Sequence, residues 1–201
     1  MNMHKLRLLA LLAGVPVLAV SLYGCVAAVV GGAGTAVLVG EDRRTVGTVT
    51  EDQGIELKAV NRINDRYKDV HINVTSYNRI ALITGEVPSD ADKAAVEKAI
   101  AGIEGVTNVV NELEVGANST ISTRSSDTVI TTRVKSGLLD AKDVQASAIK
   151  VVTERGNVYL MGRVTEREAT RASEIARAQA SVLKVVRVFE ILTEEQLGNL
   201  K

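Results

Sequence analysis

The chain of 201 residues contains one cysteine, Cys25, whose thiol could act as a nucleophile. A single cysteine cannot close a disulfide within the chain, so it does not cross-link the fold. A free thiol can pack as a small apolar group, or it can act as a nucleophile that receives a covalent modification. The residues on either side of Cys25 favour modification.

The region before Cys25 has the layout of a secretory signal peptide. A basic start, HKLR at residues 4–7, is followed by the uncharged and mostly apolar stretch Leu8–Tyr23. The block LYGC at residues 22–25 resembles a bacterial lipobox. This resemblance implies that the thiol receives a diacylglycerol before the chain is cut on its N-terminal side. We therefore expect residues 1–24 to be removed and Cys25 to become a lipidated N-terminus.

A membrane-spanning helix is the alternative interpretation, because residues 8–40 carry no charged side chain and are long enough to cross a bilayer. Pro16 interrupts this run, and cleavage before Cys25 would leave an apolar segment too short to span a membrane comfortably. Val26 is not the aspartate that is associated with retention at the inner membrane. We therefore expect a lipid anchor in the outer membrane, with several acyl chains for stable attachment, and a chain that faces the periplasm.

Patterns for catalysis and metal binding are weak in the rest of the chain. After removal of the signal peptide, His71 is the one histidine, and we expect it to be a surface residue of a strand. There is no His/Cys set with zinc spacing and no glycine-rich phosphate-binding motif. We therefore expect no catalysis, no metal and no cofactor. The scattered acidic residues leave open a pair of carboxylates and, with it, a hydrolase that acts on envelope material.

The elements that would position any functional residue occur twice. The segment INVTSYNRIALITGEV at residues 72–87 aligns without gaps with IKVVTERGNVYLMGRV at residues 149–164, and Gly85 falls opposite Gly162. Helix-like segments precede and follow both segments. Repetition on this scale indicates a duplicated module.

Each copy predicts the order helix, strand, strand, helix, strand. Apolar residues at helical spacing mark the first helices, and polar turns separate the two strands of each predicted hairpin. The first-helix positions are Leu57, Val60 and Ile63 in copy 1, and Ile130, Val134 and Leu138 in copy 2. The predicted strands are residues 70–77, 79–87 and 106–115, then 150–153, 157–164 and 182–192. Capping pairs at Ser89 and Asp92, and at Thr165 and Glu168, predict the start of the second helices.

These patterns divide the chain into segments. We assign residues 25–51 to a lipidated tether, 52–115 to module 1, 116–126 to a polar linker, 127–192 to module 2 and 193–201 to a tail without a strong pattern. A module of roughly 65 residues has a marginal core. We therefore expect the two modules to pack against each other.

The repeats resemble BON domains, which have this order of elements and a glycine at the end of the second strand. Gly85 in ITGEV and Gly162 in LMGRV take that place, and GVTNVVNELEV at residues 105–115 is similar to the closing strand. The resemblance implies an α+β fold in which two helices of each module pack on a three-stranded mixed sheet. For both glycines we predict a structural role: either a backbone conformation that only glycine tolerates, or close approach of the following helix.

The segments DTVITTRVKSGLL at residues 127–139 and VYLMGRVTEREA at residues 158–169 resemble outer-membrane lipoproteins with two BON domains. That resemblance implies binding of anionic phospholipid, a role in outer-membrane integrity and no catalysis. It also implies that the first helix of module 2 contacts the lipid. The candidate contact residues are Val129, Ile130, Arg133, Val134, Lys135 and Leu138. Their helical spacing leaves a core role open for Ile130, Val134 and Leu138.

The charge of the two copies differs in the direction that lipid binding requires. Residues 52–115 carry 7 basic and 11 acidic side chains, whereas residues 127–192 carry 11 basic and 8 acidic ones. A shared fold does not dictate this difference, so it indicates different partners. Nucleic acid is not expected, because the positive charge is modest and the aromatic residues do not form stacking platforms. A scaffold for envelope proteins, with incidental lipid contact, is the alternative function.

Overall fold

The computed structural model describes residues 42–64, 66–67 and 69–200. Cys25 and the predicted signal peptide lie outside the described residues, so lipidation stays a prediction. Within the described residues no helix is both long and apolar enough to cross a membrane. Module 1 contains α1 (Val46–Asn64), β1 (Ile72–Tyr77), β2 (Ile80–Val87), α2 (Asp90–Ala101), β3 (Asn108–Asn111) and β4 (Glu114–Val115). Module 2 contains α3 (Ile121–Asp140), a 3₁₀ turn (Ala146–Ala148), β5 (Ile149–Glu154), β6 (Asn157–Thr165), α4 (Glu166–Arg177), β7 (Lys184–Leu192) and α5 (Glu194–Gly198).

Each module has a mixed sheet, which confirms the predicted α+β class. In module 1, β2 pairs antiparallel with β1 and parallel with β3 and β4. In module 2, β6 pairs antiparallel with β5 and parallel with β7. The closing strand of module 1 is broken between β3 and β4, where Leu113 turns into the core and its N–H bonds to the side chain of Asn111. Module 2 keeps one unbroken closing strand.

The two hairpins turn in the same way and are held by the same kind of residue. Asn78 and Arg79 have φ angles of 49° and 67°, and Arg155 and Gly156 have 49° and 75°, as type I′ turns require. A buried aspartate from the first helix of each module accepts hydrogen bonds from both N–H groups of its turn. These aspartates are Asp52 in α1 and Asp127 in α3.

The first helices confirm one predicted face and correct another. In α3, Ile130, Val134 and Leu138 are buried in the core of module 2. In α1 the buried residues are instead Ile55, Ala59 and Ile63, while Leu57 and Val60 are exposed. Residues at 55, 59 and 63 recur every four positions, so they form a stripe along the helix. The predicted set at 57, 60 and 63 placed two of its three members on the wrong side.

Three helices include residues outside the apolar patterns of the two modules. α1 begins at Val46, inside the predicted tether, and the side chain of Thr45 accepts a hydrogen bond from the N–H of Thr48. α3 begins at Ile121, inside the predicted linker, because Thr120 caps it in the same way. The tail forms α5, with a capping box at Thr193. Hydroxyl caps therefore extend the helices beyond the apolar pattern.

Gly85 and Gly162 have the predicted structural role, but the close neighbour is not a helix. A Cβ on Gly85 would lie 1.9 Å from the carbonyl oxygen of His71, and a Cβ on Gly162 would lie 2.4 Å from that of Ala148. Both carbonyls belong to the residue just before the first strand of their module. Gly85 also has a φ of 116°, so it meets the predicted condition of a backbone conformation that favours glycine.

The two modules pack against each other through the outer faces of their sheets, as the size argument predicted. A core cluster of its own forms there, made of Tyr77, Leu82, Tyr159, Met161 and Val188. The hydroxyl of Tyr77 also donates to the carbonyl oxygen of Ala148 across the interface, at 3.1 Å. Each module adds a separate core between its sheet and its helices.

Residues Leu38–Lys201 form one compact unit, which contains both module cores and the shared cluster. These three clusters are composed entirely of residues from this unit. We therefore expect residues 38–201 to fold without the segment that precedes them.

Candidate functional site

A cleft of about 440 Å³ opens between the two modules. Its volume is within the range of about 300–1,000 Å³ that small-molecule sites occupy. Helix α3 forms one wall, the start of β1 in module 1 forms the opposite one, and the end of β5 closes the floor. The lining side chains are all polar or charged: His71, Asn73, Arg124, Asp127, Thr128, Thr131, Thr132, Lys135, Thr153 and Glu154.

The α3 wall follows from helical spacing. Arg124, Thr128, Thr131 and Lys135 recur every three or four residues, so they share one face of the helix. The hydroxyl of Thr131 donates to that of Thr153 at 2.7 Å and so joins α3 to β5. Arg124 at one end and Lys135 at the other give this wall a positive charge at both ends.

His71 lies on the module 1 wall of the cleft, within a network that spans both modules. Its Nδ1 is 3.0 Å from a carboxylate oxygen of Glu86 and 3.7 Å from one of Glu154. Its Nε2 is 3.0 Å from the amide nitrogen of Asn73. The prediction of a surface strand histidine is wrong, because His71 precedes β1 and is half-buried beside module 2.

The pKa values of the two carboxylates in the network are shifted in opposite directions. Burial alone would raise the pKa of Glu86, but hydrogen bonds from Arg155, the Ser119 backbone and His71 outweigh it and lower that pKa. Burial raises the pKa of Glu154 in spite of the opposing charge of His71, and the neighbouring carboxylates Glu86 and Asp127 act in the same direction as burial. Among the described residues, the Glu154 carboxylate accepts a long hydrogen bond from Asn73, at 3.4 Å, and its other oxygen lies 3.7 Å from Nδ1 of His71.

The network could be considered for catalysis or for a metal. Ser119 Oγ lies 3.1 Å from Nδ1 of His71, but Glu86 is bonded to that same nitrogen. A Ser–His–acid site uses the two ring nitrogens separately, so Ser119 is not arranged as a nucleophile. His71, Glu86 and Glu154 bring three ligand atoms within 4.8 Å of one another. Two of these ligands are already engaged, because Glu86 pairs with Arg155 and bonds to His71.

The predicted lipid-contact residues of α3 separate into three places. Ile130, Val134 and Leu138 are in the core of module 2 and are not available to a membrane, so their assignment as lipid contacts is corrected. Val129 and Arg133 are exposed one turn apart on the outer face of the helix.

Lys135 occupies the third place, on the wall of the cleft. Within the described part of the chain, neither Lys135 nor Arg133 forms a salt bridge, whereas Arg155, Arg163 and Arg171 in the same module each pair with an acidic side chain.

The chain is similar in sequence to a known domain family and to several known proteins. The model of the family described as "BON domain" matches residues 51–117 and residues 126–193. The chain belongs to the BON-domain family.

Curated proteins that resemble this BON protein include three bacterial ones. The chain is 38% identical over 198 residues to "Outer membrane lipoprotein DolP" of Haemophilus influenzae, covering 96% of this chain and 100% of that one. It is 36% identical to "21 kDa hemolysin" of Actinobacillus pleuropneumoniae, over 74% of this chain and 78% of that protein. It is 31% identical to "Osmotically-inducible protein Y" of Escherichia coli, over 70% and 72%.

The segment before the first BON module forms hydrogen bonds and ion pairs with both modules. Arg43 makes two hydrogen bonds to the carboxylate of Glu168, at 2.7 and 2.8 Å, and its own carbonyl accepts one from Arg163. Arg44 pairs with Asp52 of module 1 at 2.8 Å and lies 4.0 Å above the ring of Tyr77. We call residues 42–44 the clamp segment.

The sequence did not predict the cleft or the clamp segment, because both are formed by residues that are distant in the chain. Asn73 and Glu154 are far apart in the chain and meet only because the modules pack sheet to sheet. No spacing rule predicts such a contact. A signal did exist for the turn-holding aspartates, since Asp52 and Asp127 occupy equivalent places in the two copies.

Proposed function

We propose that the protein is a non-enzymatic lipoprotein of the outer membrane that faces the periplasm and binds anionic phospholipid through BON module 2. In this proposal Cys25 carries the anchor, and recognition of lipid by α3 supports the integrity of the membrane. The similarity to the Haemophilus influenzae outer-membrane lipoprotein over nearly the whole chain supports the location.

The observation that carries the proposal is that two cations of α3, Arg133 on its outer face and Lys135 on the cleft wall, form no salt bridge within the described residues. Arg133 and Lys135 are exposed beside apolar side chains that are also exposed, Val129 at 47% and Leu139 at 74%. Cations that a neighbouring carboxylate does not neutralise are available to a phosphate, and exposed apolar groups beside them can enter the region of the lipid headgroups. Module 1 has the opposite net charge, so lipid attraction is assigned to module 2.

The charge of this pair sets the expected size of the effect. Each Lys or Arg near an anionic surface contributes about 1 kcal/mol. Replacing both Arg133 and Lys135 by alanine should therefore weaken binding by roughly 30-fold, since about 1.4 kcal/mol corresponds to a factor of ten. Reversal of both charges should weaken it further.

Vesicle flotation of residues 38–201 tests this proposal without the anchor. The wild-type fragment should float with anionic vesicles and not with zwitterionic ones, and its binding should fall as salt increases. The variant Arg133→Glu, Lys135→Glu should not float. The control Lys58→Glu, Lys98→Glu makes the same change of net charge on exposed positions of module 1 and should float like the wild type. Equal loss in both variants would show only a general effect of charge.

Module 1 offers a second candidate function, as a docking module for an envelope protein. Its helix α1 exposes Leu57 at 64% and Val60 at 47%, and one turn of helix brings these two side chains together. Under this alternative, Leu57→Ser with Val60→Ser should abolish the cellular role. The charge reversal on α3 should then leave both the role and the localisation of the protein unchanged.

A further inference from the structure

Two equivalent places in the modules differ in what occupies them. Asp52 and Asp127 hold the hairpin turns of their modules in the same way, so their positions are equivalent. Tyr77 and Glu154 are also equivalent, because each is the last residue of the first strand of its module. In module 1, Asp52 and Tyr77 both contact Arg44 of the clamp segment. In module 2, Asp127 and Glu154 line the open cleft.

The difference originates in the residue that precedes the first helix. A threonine caps each of these helices, and the residue before the cap is Arg44 in module 1 and Ser119 in module 2. The guanidinium of Arg44 reaches Asp52 further along α1, at 2.8 Å. A serine is too short for that distance, and Ser119 Oγ lies instead 3.1 Å from Nδ1 of His71. At this end the cleft is therefore the equivalent of the space that Arg44 fills in module 1.

The aspartate of the cleft has fewer hydrogen-bond donors than its equivalent. Asp52 accepts bonds from the two N–H groups of its turn, from the hydroxyl of Ser76 and from Arg44. Asp127 is 6% exposed and accepts bonds from the two N–H groups of its turn. A carboxylate has about four acceptor positions. Asp127 therefore has the capacity to accept further donors, as Asp52 does from an arginine.

Glu154 places a second carboxylate where module 1 has an aromatic ring. The guanidinium of Arg44 lies 4.0 Å above the ring of Tyr77, whereas a guanidinium at the same place in module 2 would meet a carboxylate. Burial and the neighbouring carboxylates, Asp127 among them, raise the pKa of Glu154. A cation near both carboxylates would stabilise their charged forms, and the planar fork of a guanidinium matches the geometry of a carboxylate.

The cations that line the cleft determine what can surround such a guanidinium. Arg124 directs its own guanidinium at the side chain and backbone of Ser119. Lys135 follows Asp127 by eight residues on α3, which is about 12 Å along the helix axis. Both would repel further positive charge beside the ligand. A single arginine with neutral or acidic neighbours therefore suits the cleft better than a run of basic residues.

We infer that this cleft is a binding site for the guanidinium of an arginine side chain from another protein segment. The guanidinium donates to the carboxylates of Asp127 and Glu154, as Arg44 donates to Asp52 in module 1. The residues next to the bound arginine are neutral or acidic. Module 2 thus receives from a partner the residue type that module 1 supplies from its own chain.

An arginine derivative and its uncharged isostere test the site. Nα-acetyl-arginine amide, titrated into the full chain in a non-ionic detergent, should give saturable shifts of the amide resonances of Asp127, Thr131 and Glu154. Nα-acetyl-citrulline amide has nearly the same shape without the charge. It should bind at least about tenfold more weakly, the value of one hydrogen bond to a charged group. Equal binding of the two compounds, or shifts restricted to residues outside the cleft, would overturn the site.

Peptides distinguish a protein segment from the free amino acid. An acetylated tripeptide amide with glutamate on both sides of arginine should bind more tightly than one with lysine on both sides, because Arg124 and Lys135 repel the second. The reverse order would overturn the placement of the arginine between these two cations. Free arginine should bind no more tightly than the glutamate peptide. Tighter binding of free arginine would overturn the assignment to a protein segment.

Two substitutions at Ser119 test the equivalence of the modules. Ser119→Arg restores the residue type that module 1 has at this position, and its guanidinium should reach Asp127 and fill the cleft. It should abolish binding of Nα-acetyl-arginine amide and raise the melting temperature relative to Ser119→Met, which loses the same serine contacts without adding a charge. Undiminished binding in Ser119→Arg, or an equal loss in Ser119→Met, would overturn the inference.

A substitution at Glu154 tests the second carboxylate. Glu154→Gln keeps the size of the side chain and leaves the bonds between Asp127 and the turn in place. It should weaken binding of Nα-acetyl-arginine amide about tenfold, with a far-UV circular dichroism spectrum that matches the wild type. Unchanged affinity in this variant would overturn the role of Glu154 in the site.

Discussion

The contact between Arg43 and Glu168 should be one of the strongest single contributions to the stability of the folded unit. Arg43→Met removes two hydrogen bonds to the carboxylate and one to the carbonyl oxygen of Arg163. The two side chains are only 6% and 5% exposed, so the loss is that of a buried pair and not of a surface one. Breaking a buried pair by removing one partner costs about 3–5 kcal/mol.

The lower end of that range applies here, because Glu168 keeps other partners. It still accepts hydrogen bonds from the N–H and the hydroxyl of Thr165, as part of the capping box of α4. We therefore expect Arg43→Met to lower the free energy of unfolding by about 3 kcal/mol. Urea unfolding of residues 38–201, followed by far-UV circular dichroism, measures this value.

A double-mutant cycle separates the pair from the rest of the clamp segment. Glu168→Gln keeps the shape of the cap and removes the charge, so Arg43→Met should cost much less in that background. A loss below about 0.5 kcal/mol in the Arg43→Met single variant, the size of an ordinary surface substitution, would refute the reasoning. Strictly additive losses in the cycle would also refute it.

The same pair predicts how stability depends on pH. Burial would raise the pKa of Glu168, but the hydrogen bonds from Arg43 and from the Thr165 backbone outweigh it and hold that pKa below its ordinary value of 4.5. A carboxyl with a lowered pKa in the folded state stabilises the protein above its unfolded pKa, and this contribution is lost as pH falls through the folded pKa. Acidification below about pH 4.5 should thus destabilise the wild type more than Arg43→Met.

Three further predictions concern the modules themselves. Gly162→Ala should unfold module 2, because its Cβ would lie 2.4 Å from the Ala148 carbonyl oxygen; a melting temperature equal to that of the wild type would contradict this. Asp127→Ala should cost about 2 kcal/mol or more in urea unfolding, since two N–H groups of the β5–β6 turn lose their acceptor. Val134→Ala should cost about 2 kcal/mol by leaving a cavity, whereas Val129→Ala, at an exposed position, should stay within about 0.5 kcal/mol and should affect only vesicle flotation.

The sequence predicted most of the secondary structure that depends on contacts within one module. The hairpins, the position of both turns and the apolar stripe of α3 follow from local alternation, from turn residues and from helical spacing. The face of α1 was predicted wrongly because Leu57 and Val60 fit helical spacing almost as well as the buried Ile55 and Ala59. Apolar periodicity alone does not distinguish a core side chain from an exposed one of the same type.

The candidate site is formed by contacts between the two modules, which local sequence patterns do not predict. The sequence identified Arg133 and Lys135 from their charge and from the family resemblance, yet it did not indicate that Lys135 lines a cleft. That geometry arises when Asn73 and His71 of module 1 meet Glu154 of module 2. Only the packing of the two sheets creates it.

That packing also changes how the assembly depends on protein abundance. A lone module would expose the apolar side chains that now meet in the shared cluster, such as Tyr159 and Met161, and it could cover them only by finding another copy. With both modules in one chain, the encounter is intramolecular, and a short connection gives an effective concentration in the millimolar range. The two-module body therefore stays assembled however few molecules a cell makes, and dilution does not take the cleft apart.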